Sequence, residues 1–203
     1  MSYIVFDLDD TLLNDKREIS PYTLNVMKKV QAMGHKLVYN TARSQAFSQK
    51  YFEQLRPDYA ILNGGSLIID KEENVVFSAE EFPFPAQKIV TDIKDDAQAQ
   101  AIAEKYNLAF TTYMGGTFRR YNHSEATKAQ GNRNLMKLTG DTLEDIIAFG
   151  DDYGDFDMLR EAGVGVMMKN GRPELLGKTS HISEYTNDED GVAKFLEKWF
   201  KLK

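Results

Sequence analysis

Asp7-Leu8-Asp9-Asp10-Thr11 follows directly on the apolar run Tyr3-Ile4-Val5-Phe6, and Gly150-Asp151-Asp152 follows on Ile146-Ile147-Ala148-Phe149. Residues i and i+2 point the same way along a strand, so a turn at its end can aim Asp7 and Asp9 into one place. Two adjacent carboxylates repel, and keeping them together is costly without a cation. Asp151 supplies a third carboxylate from another strand end. With water and phosphate oxygens, that set suits octahedral Mg²⁺ at about 2.0–2.1 Å. Lys128 stands near the expected start of a helix, where the macrodipole disfavours a cation. It could be an ordinary solvated lysine, or a charge kept for a phosphate and a carboxylate; position alone leaves both open.

The elements that must carry these residues are short apolar runs. Besides the two above they are Leu37-Val38-Tyr39, Tyr59-Ala60-Ile61-Leu62 and Val164-Gly165-Val166-Met167. Continuous runs of this kind suit strands buried on both faces, as in a parallel sheet. Helical patterns lie between several of them. Ser20-Pro21 forms a helix start, with Ile19, Thr23, Val26, Val30 and Met33 at helical spacing and Gly34 as a stop. A second helix is expected over Ser44 to Leu55. Strands alternating with helices predict an α/β fold: a Rossmann-like parallel sheet with helices on both faces. Ligands of such sheets bind beyond the carboxyl ends of the strands. There the sequence places Asp7 to Thr11, Asn40-Thr41-Ala42-Arg43, Asn63-Gly64-Gly65 and Gly150-Asp151-Asp152, all small, polar or acidic.

A middle segment departs from this rhythm. Ser66 to Asp70 and Asn74 to Phe77 read as a hairpin, and a helix is expected after Pro85, through Ile89 and Ile93 to Ala101 and Tyr106. Two more strand-like runs flank Gly115-Gly116. Residues 66–122 are therefore expected to form a small α+β cap inserted in a core of residues 1–65 and 123–203. That second hairpin carries Tyr113, Arg119 and Arg120, whose arginines offer forked donors to a substrate. Arg43 could likewise reach a substrate anion bidentately. His35, His123 and His181 are scattered, without ligand spacing.

Net charge is −6 with the acidic residues dispersed, which argues against a nucleic-acid partner. The absence of cysteine excludes disulfides and thiolate metal sites. No stretch is long and apolar enough to cross a bilayer and the N-terminus lacks secretory features, so no membrane partner and a cytoplasmic location are expected.

Taken together, these residues resemble the haloacid dehalogenase superfamily of phosphatases, in its Cof-type branch, whose cap is inserted between the second and third motifs. Asp7-Leu8-Asp9-Asp10-Thr11-Leu12-Leu13 is similar to the first motif, Thr41-Ala42-Arg43 to the second, Lys128 to the third and Gly150-Asp151-Asp152-Tyr153-Gly154-Asp155 to the fourth. Lys169-Asn170-Gly171 and Asp190-Gly191-Val192-Ala193 look like the same branch. Gly154 departs from it, standing where an Asn is usual. The resemblance implies a Mg²⁺-dependent phosphohydrolase of small phosphorylated metabolites, sugar phosphates among them. Asp7 would be the nucleophile and Asp9 the general acid/base, with Thr41 and Lys128 on the phosphoryl oxygens. Metal would be bound by Asp7, the Asp9 carbonyl, Asp151 and Asp155. Leu8 and Ala42 (through their N–H groups), Arg43, Asn170, Arg119 and Arg120 are the expected substrate contacts. A phosphomutase or phosphotransferase needs the same aspartates, and a weakly catalytic regulatory member would keep the same fold.

Overall fold

The computed structural model describes residues 1–79, 89–113, 118–123 and 126–202. In chain order the elements are β1 (Tyr3–Phe6), α1 (Pro21–Ala32), β2 (Lys36–Asn40), α2 (Gln45–Leu55), β3 (Tyr59–Leu62), β4 (Leu67–Asp70) and β5 (Val75–Ser78). They continue with β6 (Ile89–Thr91), α3 (Asp96–Tyr106), β7 (Leu108–Tyr113), β8 (Phe118–His123) and α4 (Lys128–Thr139). The chain ends with β9 (Ile146–Gly150), α5 (Phe156–Glu161), β10 (Val164–Met167), β11 (His181–Ile182) and α6 (Gly191–Trp199). An eight-stranded sheet has the order β11-β10-β9-β1-β2-β3-β4-β5, and a three-stranded sheet has the order β6-β8-β7. From β11 to β3 the large sheet is parallel; β4 and β5 join its edge antiparallel.

The apolar runs form the centre of that sheet because both faces are covered. In β1, Ile4 and Phe6 pack on one face with Val26, Met27 and Val30 of α1, Phe52 of α2 and Leu196 of α6. Tyr3 and Val5 alternate to the other face, against Leu135 and Met136 of α4 and Met158 and Leu159 of α5. The α1 start matches the sequence reading: the Ser20 side chain accepts from Thr23 N–H, Pro21 is the first helical residue, and Gly34 follows at φ 88°. Ser44 precedes α2 as its N-cap residue. Among the described residues no helix is long and apolar enough to cross a membrane.

Two expectations for the middle segment are corrected. The 66–77 hairpin exists, but β4 pairs with β3 and continues the large sheet rather than starting the cap. Ile68 and Ile69 are both buried, one on each face, so this strand needs the same double cover as the central ones. The turn Asn63-Gly64-Gly65 reverses the chain for it, all three residues at positive φ. Second, Ile89 to Thr91 form a strand, not the start of a helix. All three of these residues are β-branched, the type that suits a pleated strand, and α3 begins only where Asp95 caps Ala97 and Gln98 N–H. The second sheet therefore spans residues 89–123, with α3 on the face that carries Tyr121 and Phe110. Pro85, Gly115 and Gly116 lie outside the described residues, as does the side chain of Tyr113.

Candidate active site

The site is built where β1 and β9 end side by side. Asp7 N–H donates to Phe149 O at 3.2 Å, so the first acidic motif leaves the sheet locked to the strand that carries the fourth. The chain then makes one wide turn over Leu8–Leu12, with Asp9 extended and Asp10 left-handed at φ 57°. Leu13 N–H returns to Leu8 O at 2.9 Å and closes it. The turn is held to the fourth motif by Thr11 Oγ1, which donates to Asp151 Oδ1 at 2.6 Å.

Lys128 opens α4, whose N-cap Thr127 accepts from Gln130 N–H. Its ammonium is buried and shared between Asp7 Oδ2 at 2.7 Å and Asp155 Oδ1 at 2.6 Å. That excludes the reading of a solvated lysine, which has no such partners. Asp155 is nearly inaccessible, and its Oδ2 accepts the N–H groups of Asp151 and Asp152. Both of its oxygens are thus in use within the protein. Gly150 makes room for this, since a Cβ there would lie 2.4 Å from Asp155 Cβ.

Asp7, Asp151 and Asp155 bring carboxylate oxygens within 4.8 Å of one another. One ammonium cannot neutralise three such groups. Burial first, then the charge of Asp155 against the opposing pull of Lys128, leaves the Asp7 carboxyl pushed up to about 6. Burial and the charges of Asp155 and Asp7 push Asp151 up to about 8. Burial works against the charge on Lys128, but Asp155 and Asp7 outweigh it and hold the ammonium protonated well above its usual range. The deficit of positive charge, with hard oxygen donors alone, fits a divalent cation of the Mg²⁺ class. Asp151 Oδ2 and Asp7 have capacity for it; Asp155, with three donors on its two oxygens, also holds Lys128 and the Asp151 main chain in place.

Asp9 faces different neighbours. Arg43 grips it with two donors, Nε to Oδ2 and Nη2 to Oδ1, both at 2.7 Å. Arg17 Nη1 adds a third, to Oδ1 at 2.6 Å. Burial raises the Asp9 carboxyl, but the Arg43 bonds and the charges of Arg43, Arg17 and Lys128 prevail and hold it below the usual carboxylate range. Arg43 also lies over the Tyr51 ring at 5.2 Å.

The other expected residues are distributed unevenly. Thr41 is buried at the end of β2, its Oγ1 accepting from Arg43 N–H at 3.2 Å. Ala42 sits in the same loop, partly exposed. Leu8 N–H donates to Asp7 Oδ1 at 2.7 Å, so here it serves the carboxylate. Asn170 braces main chain, donating to Asp10 O at 2.7 Å and accepting from Asn187 N–H at 3.0 Å. It borders a cavity of about 450 Å³ that reaches Asp10, Asp151 and Arg172. The two cap arginines alternate across β8. Arg119 turns to Asp96 at 2.6 Å and to Lys94 O, inside the cap. Arg120 brings Nη2 within 3.8 Å of where a Gly64 Cβ would stand, on the side of the core. Sequence reasoning missed Arg17 and Arg172, the latter on Asp152 at 2.8 Å. Asn40, placed at a strand end by the sequence but given no role, donates its Nδ2 to Lys128 O at 2.9 Å. The two arginines lie in polar loops with no distinguishing pattern.

A parallel α/β sheet with an antiparallel cap sheet, and four acidic and basic motifs meeting at its carboxyl edge, is the arrangement of a phosphatase of the haloacid dehalogenase type. The family model of haloacid dehalogenase-like hydrolases matches residues 4–104 and 83–196. The chain belongs to this family, in its Cof-type branch. Among curated relatives it is similar to the 5-amino-6-(5-phospho-D-ribitylamino)uracil phosphatase YitU of Bacillus subtilis. Identity is 24% over 266 residues, covering 98% of this chain and 97% of the relative. The corresponding phosphatase YcsE of the same organism is 28% identical over 236 residues, covering 97% and 94%. A solved phosphatase of the superfamily from Bacteroides thetaiotaomicron superposes with TM-score 0.86 at 17% identity, over 98% of this chain and 95% of that one; this likeness is one of fold.

Proposed function

We propose that the protein hydrolyses phosphomonoesters of small metabolites through an aspartyl phosphate on Asp7, with Asp9 as general acid/base. The observation that carries this reading is the buried Lys128 shared between Asp7 and Asp155 beside Asp151. A structural role alone does not account for it, because three carboxylates around one ammonium leave an excess of negative charge that is destabilising without a further cation.

Asp7, Asp151 and the main-chain carbonyl of Asp9 would hold Mg²⁺, which when bound neutralises charge on a dianionic phosphoryl group and its carboxylate neighbours. Lys128 keeps Asp7 ionised and offers donors to the phosphoryl oxygens. Thr41 and the Ala42 N–H, from the loop after β2, would hold the remaining oxygens. Asp7 attacks phosphorus and the ester oxygen departs, taking a proton from Asp9, which has to be in its protonated form at this step. Asp9 then accepts a proton from the water that attacks the aspartyl phosphate, which regenerates Asp7 and releases phosphate. Arg43 orients Asp9 by its two-point grip. A leaving group of sugar or polyol type is supported by the two Bacillus subtilis relatives, which act on a phosphorylated ribityl compound, and by Arg120 on the core side of the cap.

The experiment is phosphate release from a panel of phosphorylated metabolites and from p-nitrophenyl phosphate, with Mg²⁺ and with excess chelator. Metal-dependent release is expected. Full activity in chelator would remove the metal assignment, and a phosphorylated isomer in place of free phosphate would make the enzyme a mutase.

A further inference from the structure

Arg17 belongs to none of the motifs above, yet it contacts the acidic loop at two points. Its Nη1 lies 2.6 Å from Asp9 Oδ1 and 3.2 Å from Asp10 Oδ1. These pairs are about half exposed, with Arg17 at 46% and Asp9 at 36%. Pairs so exposed contribute little to stability. The backbone beneath Arg17 is nevertheless closely built. The residue is left-handed at φ 59°, a conformation few long side chains adopt. Its N–H donates to Asn14 O at 2.8 Å, and Asn14 Oδ1 accepts the N–H groups of Lys16 and Glu18. Its carbonyl accepts from Tyr51 Oη at 3.0 Å. Tyr51 is buried in the core, and its ring is the one on which Arg43 lies. Both arginines that reach Asp9 are therefore referenced to one fixed side chain of α2.

Their donors divide unequally between the two carboxylate oxygens. Oδ1 receives Arg43 Nη2 and Arg17 Nη1, whereas Oδ2 receives Arg43 Nε alone. We infer that Arg17 is a positioning residue for the proposed phosphatase reaction: it adds a second guanidinium to the Arg43 grip on Asp9, and because both arginines are anchored on Tyr51 the carboxylate is held in one orientation for its work on the ester oxygen. Arg43 alone would leave that hold to a single guanidinium. This inference rests on the reading of Asp9 as the acid.

The test is the dependence of kcat/KM on leaving-group basicity over a series of substituted phenyl phosphates. Wild type, Arg17→Ala, Arg17→Lys, Asp9→Asn and the Asp9→Asn/Arg17→Ala double variant are compared, with thermal unfolding of each as a check on folding. Proton delivery matters most for the most basic leaving group. Arg17→Ala should lower kcat/KM about tenfold for that ester and about twofold or less for p-nitrophenyl phosphate, steepening the slope. Arg17→Lys, which restores one donor, should recover much of the slope. In the Asp9→Asn background, loss of Arg17 should add less than about twofold at any point in the series. Equal losses across the series would mark Arg17 as structural and overturn the inference, as would an undiminished effect in the Asp9→Asn background or no effect at all. If Arg17→Ala does not fold, the Arg17→Lys slope decides. Failure of the underlying reading is separately visible: Asp9→Asn itself would then leave the slope at its wild-type value.

Discussion

Replacing Asp155 by Asn tests how the charged cluster is assembled. Asp155 accepts from the buried Lys128 ammonium on one oxygen and from the Asp151 and Asp152 amides on the other. An amide has only one acceptor oxygen. If that oxygen keeps the two main-chain donors, the NH₂ group faces the ammonium, donor against donor; if it turns to Lys128, two amides are stranded. Either way, hydrogen bonding of a buried charged group is lost, at about 1.5–3 kcal/mol. Breaking a buried pair outright costs about 3–5 kcal/mol. Lys128 keeps Asp7 as a partner, so the lower part of that range applies, near 3 kcal/mol. For a chain of this length each kcal/mol moves Tm by about 2–4 °C, so a fall of about 6–12 °C is expected. Because Lys128 and the Asp151 main chain lose their anchor, kcat should also fall, by about 10–100-fold. Thermal unfolding by circular dichroism and p-nitrophenyl phosphate turnover on one preparation measure both. A variant with wild-type Tm and kcat would refute this account of the cluster.

Other substitutions and conditions give further expectations. Gly150→Ala should nearly abolish turnover, since its Cβ would lie 2.4 Å from Asp155 Cβ and 2.9 Å from Asp155 Oδ2; wild-type kinetics would show that the cluster tolerates displacement. Asp7 and Asp151 carboxyls raised to about 6 and about 8 bind more protons folded than unfolded. Stability of the metal-free protein should therefore decline as pH rises from about 4 to 8, with Mg²⁺ restoring Tm more at pH 8 than at pH 5; a metal-free Tm that rises over that interval, or equal Mg²⁺ effects at both ends, would contradict the assignment. In the cap, Arg119→Ala should lower stability through loss of its Asp96 partner, and Arg120→Ala should raise KM for the best metabolite more than Arg119→Ala does; the reverse order would remove Arg120 from the substrate path.

The catalytic edge was legible because strand ends in a parallel sheet are fixed by burial. Once Tyr3 to Phe6 and Ile146 to Phe149 are read as doubly buried strands, Asp7 and Asp151 must emerge at the same edge. Lys128 was legible only through its motif, since a lysine at a helix start carries no local sign of the two carboxylates it meets. The first hairpin was assigned to the wrong sheet because a hairpin pattern records local pairing and not which neighbour the first strand takes. The strand Ile89 to Thr91 was read as helix because Ile89 and Ile93 are spaced four apart, while the β-branched residues and the Asp95 cap argued the other way. Arg17 was invisible because its reach to Asp9 depends on a left-handed residue in a loop pinned by Tyr51, a contact thirty-four positions along the chain.

The most direct test of the central claim is turnover by Asp7→Asn, measured as phosphate release with Mg²⁺ on the best metabolite and checked for folding by circular dichroism. An amide is a poor nucleophile, so turnover should drop to the background rate while the fold persists, and acid-quenched wild type should carry a phosphoryl group on the peptide containing Asp7 that the variant lacks. Near-normal kcat in a folded Asp7→Asn protein would contradict the account.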